Sequence, residues 1–560
     1  MQIHLLNRRG AETRRDLFLR VFASPQFSRI LLWFAPILFL LIFFFFPLSR
    51  ILILAFNVLA FTKPNFQLIL WTVSFTFYQA ALSTILTFVL GLPSAVLFSR
   101  FNFRGKSLLR ALTAVPFMLP TVVVASSFSA LFGIHGLLPF HPSPFSLILL
   151  AHVFYNTTIV TRIVGNALSQ LDPKLDQAAR SLGADSLRMW RYITLPLLRP
   201  SMLAATLLVF LFDFTSFGVI LLLGGSKFST IEVEIYLRVL KLPNLSLAAL
   251  LAIIQLVFTL IFSILYTRTI SRVVTQTAPR FSISRPPKTI REKIFVSTLY
   301  SLLLIFFFLP LISLPIRSLA RLEADRGQRG EVQYGFTTDY YQELFINRRG
   351  SLFYVPPIRA ALNSLGYASM TVFLSLALGY PAAYALAKPT RLEKYLDPLI
   401  MLPLGASAVM LGLGFIITFG RSLSSPWFVP IAHTLVALPF IIRTLQPAFA
   451  AIPERLRQAA ATLGAPPFRV WRTVDFPIIS RATLSAATFA FTISLGEFGA
   501  TLLLTRPEYP TIPIAIQRFL SQPGGLNYGQ AMAMATLLMF LTTLAILAIE
   551  KLRFSDSGEF

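Results

Sequence analysis

Twelve stretches of roughly 20 or more mostly apolar residues run through this chain. They constrain its fold more than any other feature, because a segment of that length in lipid must close its backbone hydrogen bonds internally. They lie near residues 30–56, 70–98, 108–134, 144–167, 199–224, 243–268, 294–316, 358–387, 396–420, 427–447, 480–505 and 527–549. With 55% hydrophobic and only 13% charged residues, the chain lacks the polar surface a soluble domain needs. The expected fold class is all-α integral membrane, with about twelve transmembrane helices. The first window follows basic residues as a signal peptide would, but it is too long and no small-residue cleavage pattern follows. It reads as an uncleaved span.

The 49 Lys and Arg outnumber the 23 Asp and Glu, giving a formal charge of +26. In a soluble protein that excess would point to nucleic acid; here it sorts by side of the membrane. Arg8, Arg9, Arg14, Arg15 and Arg20 precede the first span, and Arg100, Arg104, Lys106 and Arg110 separate spans two and three. The connection between spans six and seven holds Arg268, Arg272, Arg280, Arg285, Lys288, Arg291 and Lys293 against one acid, Glu292. By the positive-inside rule these segments and the N-terminus are cytoplasmic, so the charge encodes topology and no nucleic-acid partner is expected. The chain contains no cysteine, which excludes disulfides and thiolate metal sites.

The sequence repeats itself. His152 and His433, Arg162 and Arg443, Gly183 and Gly464, Trp190 and Trp471, Pro196 and Pro477, Phe217 and Phe498, Gly218 and Gly499, and Thr230 and Thr511 are each 281 positions apart. Upstream the register drifts: Gly91 and Pro93 match Gly379 and Pro381 at 288. Six spans per half is even, so both halves enter the membrane the same way and form a parallel repeat about an axis along the membrane normal. Residues 1–268 are the expected first half, 269–292 a cytoplasmic linker and 293–560 the second half.

The best-kept part of the repeat is a polar loop, residues 171–196 and again 452–477. Asp172 is a natural N-cap and Pro173 fits a first helical turn. Leu175, Ala178, Ala179 and Leu182 fall on one face, and Gly183 stands where a helix closes through positive φ. Leu456, Ala459, Ala460, Leu463 and Gly464 reproduce this. A second short helix is expected after Ser186, carrying Met189, Trp190 and Ile193, with Pro196 opening the next span. Small residues at the centre of an exposed helix allow close approach by another protein. An interfacial helix lying on lipid headgroups is the alternative.

These residues resemble the bacterial ABC importer permeases, whose "EAA" loop reads Glu-Ala-Ala, three residues, Gly, nine residues, then Ile-x-Leu-Pro. Gln177, Ala178, Ala179, Gly183, Ile193, Leu195 and Pro196 match it, as do Gln458, Ala459, Ala460, Gly464, Val474, Phe476 and Pro477. Gln replaces Glu in both copies, which turns an expected salt bridge into a weaker hydrogen bond. The resemblance implies that each loop docks one ATP-binding subunit, so that two copies of an ABC ATPase, holding ATP and Mg, and an extracytoplasmic substrate-binding protein are the partners. It also implies a bacterial cytoplasmic (inner) membrane location. Fused two-half permeases of this length are typical of thiamine and ferric-iron importers. "LLAHVFYN" at 149–156 and "STIEVEIYLRVL" at 229–240 look like thiamine permeases.

Charged groups inside spans are expensive and point to function. Asp213 and Glu497 occupy corresponding spans, with Ser494 and Ser216 as their respective repeat mates. On continuous helices Asp213 and Ser216 share a face, as do Ser494 and Glu497. The four are candidates for lining a cation path; the alternative is pairing of each acid with Arg162 or Arg443. The five His residues are read as hydrogen-bonding groups and no metal site is expected. "GKS" at 105–107 lacks the preceding glycine of a P-loop, so no nucleotide site, catalytic residue or cofactor is expected in this chain. The competing class is an ion-driven secondary transporter of two parallel halves.

Overall fold

The computed structural model describes residues 25–56, 63–225, 227–274, 284–321, 335–346, 355–420 and 425–554. The basic cluster Arg8–Arg20 and part of the linker lie outside them. All named elements among the described residues are helical. The first half comprises α1 (Leu31–Ala55), α2 (Asn65–Arg100), the bent pair α3 (Lys106–Met118) and α4 (Thr121–Phe132), α5 (Pro144–Ser169), the loop helix α6 (Pro173–Ser181), α7 (Leu187–Phe214), the short α8 (Gly218–Gly224), α9 (Ile231–Leu240) and α10 (Leu245–Ile270). The second half repeats the plan: α11 (Ile290–Ser318), α12 (Arg359–Ala387), the bent pair α13 (Arg391–Gly405) and α14 (Ala408–Phe419), α15 (Phe428–Ala450), α16 (Glu454–Thr462), α17 (Phe468–Gly496), α18 (Gly499–Leu504), α19 (Ile512–Leu520) and α20 (Gly525–Leu547).

Two expected spans are not straight. The window 108–134 bends by 110° and the window 396–420 by 96°. Leu119 precedes Pro120, whose ring disfavours a helical conformation for the residue before it, and Leu119 is extended with ψ 147°. In the second half Ala406 is extended and Ser407 restarts the helix, its Oγ accepting from the Met410 N–H at 3.0 Å.

Each bent pair still carries the chain across. Gly91 lies against Val160 and Ala95 against Gly165, so α2 and α5 run parallel. Likewise Gly379 lies against Ile441, and the Gln446 amide donates to the Leu386 carbonyl, so α12 and α15 run parallel. Two parallel neighbours joined through one connection require that connection to traverse once, which makes twelve crossings. A Cβ at Gly91 would fall 2.7 Å from the Val160 Cβ, and one at Gly379 would fall 2.7 Å from Ile441 Cγ2. Val160 and Ile441 are themselves 281 apart. The same glycine-mediated backbone approach is thus built twice, and the register drift is absorbed between α4 and α5, where the second half has the shorter connection.

The halves interlock by exchanging their first spans. The α1 helix packs on the second half: Phe43 meets Phe415 and Phe419, Pro47 and Ile51 lie against Gly414, and the buried Trp33 indole donates to Glu393 Oε1 at 3.3 Å. In return α11 packs on the first half, where Phe306 and Phe307 meet Phe154 and the Ser313 hydroxyl donates to the Ser127 carbonyl. One hydrophobic core therefore runs through both halves.

Candidate functional site

The two polar loops are built alike. The Asp172 carboxylate caps α6 by accepting the Lys174 N–H at 3.0 Å. The helix closes through Gly183 at φ +78°, with Gly183 N–H on the Arg180 carbonyl and Ala184 N–H on the Ala179 carbonyl. In α16 the corresponding bonds run from Gly464 (φ +77°) to Ala461 and from Ala465 to Ala460. This is the paired closure that a left-handed residue permits, and it leaves the residue before each glycine projecting outward. Leu182 is 88% exposed and Leu463 87%. Gln177, Ala178, Gln458 and Ala459 are exposed too, whereas Ala179 is buried and Ala460 half-buried.

Of Leu175, Ala178, Ala179 and Leu182, only Ala179 turns inward and the others stay exposed. One expectation about these loops is corrected: the second short helix is not separate, because residues 186–214 form one continuous helical run with a wide turn at Trp190–Thr194. Pro196 has no N–H to give to the turn before it, and the Leu195 N–H instead reaches back five residues to the Trp190 carbonyl. Phe476 N–H, ahead of Pro477, bonds to the Trp471 carbonyl in the same way.

The second loop carries tethers of its own. Arg457 donates to Asp475 Oδ1 at 2.8 Å and lies 5.5 Å from the Tyr384 ring centre. Burial opposes the Arg457 charge, but Asp475 more than offsets it and holds the guanidinium above its ordinary value. Lys388, just past α12, donates to Glu454 at the start of α16, and that bond holds the Glu454 carboxyl below its usual range. The contact also fixes sidedness: α12 and α15 end together. Since α2 ends beside α11 (Asn102 N–H on the Arg285 carbonyl) and six crossings separate the loops, both loops emerge on one side of the membrane.

The helix-face expectation for the four candidate path residues is overturned. The chain leaves the helix at Phe214 and at Gly496, so Ser216 and Glu497 sit in breaks, before α8 and α18. Thr215, whose hydroxyl turns back to the Leu211 carbonyl, and Gly218, whose Cβ would fall 2.4 Å from Thr121 Oγ1, mark the first break. The residues still gather, around a histidine in each half. His152 Nε2 bonds Ser216 Oγ at 2.9 Å, and its Nδ1 meets Ser83 Oγ at 3.0 Å and Asp213 Oδ1 at 3.5 Å. Asn156 donates to the same Asp213 oxygen at 2.7 Å, and Gln79 donates to the Asp213 carbonyl.

In the second half His433 Nδ1 bonds Ser494 Oγ and its Nε2 bonds Thr501 Oγ1, both at 2.7 Å, with Glu497 Oε2 at 3.1 Å. The Glu497 carboxylate accepts the N–H groups of Ala500 and Thr501, capping α18. Arg443 meets neither acid; it pairs with Asp397 at 3.0 Å. The histidines are hydrogen-bonding hubs, and among the described residues no group of three or more His, Cys, Asp or Glu could hold a metal. The segment 337–345 packs part of itself on the bundle: Tyr340 is buried against Gly529 and Tyr341 bonds Ser318, while Asp339, Gln342 and Phe345 stay exposed.

Just past these clusters the halves touch. The rings of Phe217 and Phe498, repeat mates, stack with centroids 5.4 Å apart and planes 29° apart. Sequence reasoning used this pair only to set the repeat; their position beside Gly218 and Gly499 was the signal of something more.

Residues 87–275 and again 375–552 match the family described as binding-protein-dependent transport system inner membrane component. The chain belongs to that family. Members are inner-membrane permease subunits that serve a binding protein, and matching twice makes this chain a fused pair of such units. Among curated relatives, "Thiamine transport system permease protein ThiP" of Brucella abortus (strain 2308) is 28% identical over 505 residues, covering 86% of this chain and 88% of the relative. The protein of the same name from Escherichia coli (strain K12) is 26% identical over 501 residues, with 86% and 89% covered. "Probable ABC transporter permease protein y4fN" of Sinorhizobium fredii is 24% identical over 510 residues, with 86% and 88% covered.

Proposed function

We propose that this permease carries thiamine inward across the cytoplasmic membrane as the transmembrane part of an ATP-binding-cassette importer. The observation that carries the mechanism is the duplicated loop, two like-sided helices that each end in an exposed leucine and a left-handed glycine. Each loop seats one ATPase, so two ATPase copies, which hold ATP and Mg, engage Gln177, Ala178 and Gly183 on one half and Gln458, Ala459 and Gly464 on the other. Because α6 and α16 lead directly into α7 and α17, drawing the ATPases together moves those spans as levers. The basic connections at 100–110 and 284–293 share the loops' side, which makes that side, and the N-terminus, cytoplasmic. A binding protein delivers substrate on the other face. Asp213, Ser216, Ser494 and Glu497 act one layer back from the path, fastening the breaks at the ends of α7 and α17.

The substrate reading rests on the named relatives, and the test is uptake of labelled thiamine into vesicles holding this chain, its ATPase and its binding protein. ATP-driven thiamine uptake, with ferric iron excluded in parallel, is the expected result. Ferric uptake would replace the substrate and keep the mechanism; thiamine uptake driven by an ion gradient without ATP would overturn the mechanism and keep the substrate.

A further inference from the structure

Two symmetry-equivalent residues in contact must lie on the axis that relates them, as at any self-complementary interface. Phe217 and Phe498 are equivalent by the 281-residue repeat and their rings stack, so the pair sits on the pseudo-twofold axis between the halves. A path formed between two halves of a parallel repeat runs along that axis. Both rings are almost wholly covered, 7% and 3% exposed. The collar around them is closed by small residues that let backbones approach: a Cβ on Gly218 would fall 3.3 Å from Phe498 Cδ1, one on Gly496 3.1 Å from Pro120, and one on Gly499 3.1 Å from Ala408. Pro120 and Ala408 stand at the bends of the two broken spans.

The rings also stand where the helical geometry is interrupted. Each occupies a break, with helical hydrogen bonding ended just before it and resumed just after. The histidine clusters hold the flanks of these breaks: Asp213 and Ser216 before Phe217, and Ser494 and Glu497 before and Thr501 after Phe498. From Leu195 the run to Phe217 is about 30 Å at helical rise, which places the pair towards the membrane face opposite the loops.

We propose that Phe217 and Phe498 are the seal that closes the transport path in this state, and that a flat cationic substrate passes by exchanging the ring-to-ring contact for contact with both ring faces. The second clause rests on the thiamine reading; the first rests only on the geometry. Ring faces attract cations when water is excluded, so the seal selects for the cargo it releases and gives an uncharged solute or a hydrated ion no equivalent contact.

The chain has no cysteine, so the double variant F217C/F498C in the full transporter, reconstituted with ATPase and binding protein, gives a background-free test. A short reducible bis-methanethiosulfonate reagent is expected to bridge the two positions in the nucleotide-free complex and to fail when the ATPases are trapped with vanadate. F217A/F498A vesicles preloaded with tetramethylammonium or thiamine are expected to leak without ATP, while native vesicles stay tight. F217W is expected to keep uptake, whereas F217L loses about tenfold through the missing ring face. Bridging that is absent in the resting complex, bridging that persists under vanadate, or tight F217A/F498A vesicles would overturn the seal. F217L transporting thiamine as well as native would overturn the cation exchange. If native protein does not move thiamine at all, the substrate reading and the cation exchange fall, and bridging and tetramethylammonium leak still decide the seal.

Discussion

Glycines in this permease do two different jobs, and substitution separates them. Gly91 and Gly379 face a neighbouring helix at contact distance, so a methyl there overlaps Val160 or Ile441. Gly183 and Gly464 have open space around the Cβ position but sit at positive φ. Gly91→Ala is expected to destabilise the bundle by about 1–3 kcal/mol through overpacking, read as a lower thermal midpoint of intrinsic fluorescence in detergent. Gly183→Ala strains one loop by about 1 kcal/mol, should leave that midpoint unchanged, and should lower ATP-driven uptake. Equal midpoints for Gly91→Ala and native protein would remove the close-approach argument. The motif spacing made all four glycines visible in the sequence, but only the structure tells a glycine that needs room from one that needs a backbone angle.

At the scale of elements, spans were legible because lipid imposes one length and one composition on each crossing. Their interruptions were less so. The windows 108–134 and 396–420 stay apolar straight through the bends, since α4 and α14 are buried in protein, and hydropathy does not distinguish a helix facing lipid from one facing another helix. The breaks at Ser216 and Glu497 fell inside apolar windows for the same reason, so periodicity was carried across residues that are not helical. The loop helices show the opposite case: the Asp172 cap and both closing glycines were readable, while which alanine turns inward was not. That distinction matters for mutagenesis. A bulky residue at Ala179 disturbs this chain's own packing, so the docking role is better probed at Leu182 and Leu463. Leu182→Asp and Leu463→Asp remove exposed apolar contacts only, and the double variant should fold normally yet lose about a hundredfold in ATPase affinity, at about 1.5–3 kcal/mol per leucine excluded from water. Co-purification of tagged permease with its ATPase measures this; undiminished capture would relocate the interface.

At the scale of the whole molecule, a duplicated sequence invites the picture of two self-sufficient halves lying side by side, and the exchange of α1 and α11 contradicts it. Trp33, Phe44 and Ile51 of α1 are buried in a molecule where α1 packs on α10, α12 and α14, so a first half alone exposes one side of its own first span and leaves a second half without cover for α14. Fusion then does more than fix stoichiometry: it keeps two mutually dependent bundles at high effective concentration. Expressing residues 1–274 and 284–560 as separate chains in one cell should give a complex that co-purifies through a tag on either piece, because the interlock is non-covalent. Each piece expressed alone should be degraded or aggregate, since hydrophobic surface built to meet protein, including the buried Leu303 and Phe307 of α11, would face lipid without a matching surface. A lone half that purifies as a monodisperse, cooperatively melting species would show that the exchanged spans are accessory, and the two copies of the repeat would then be independent folding units joined only by their linker.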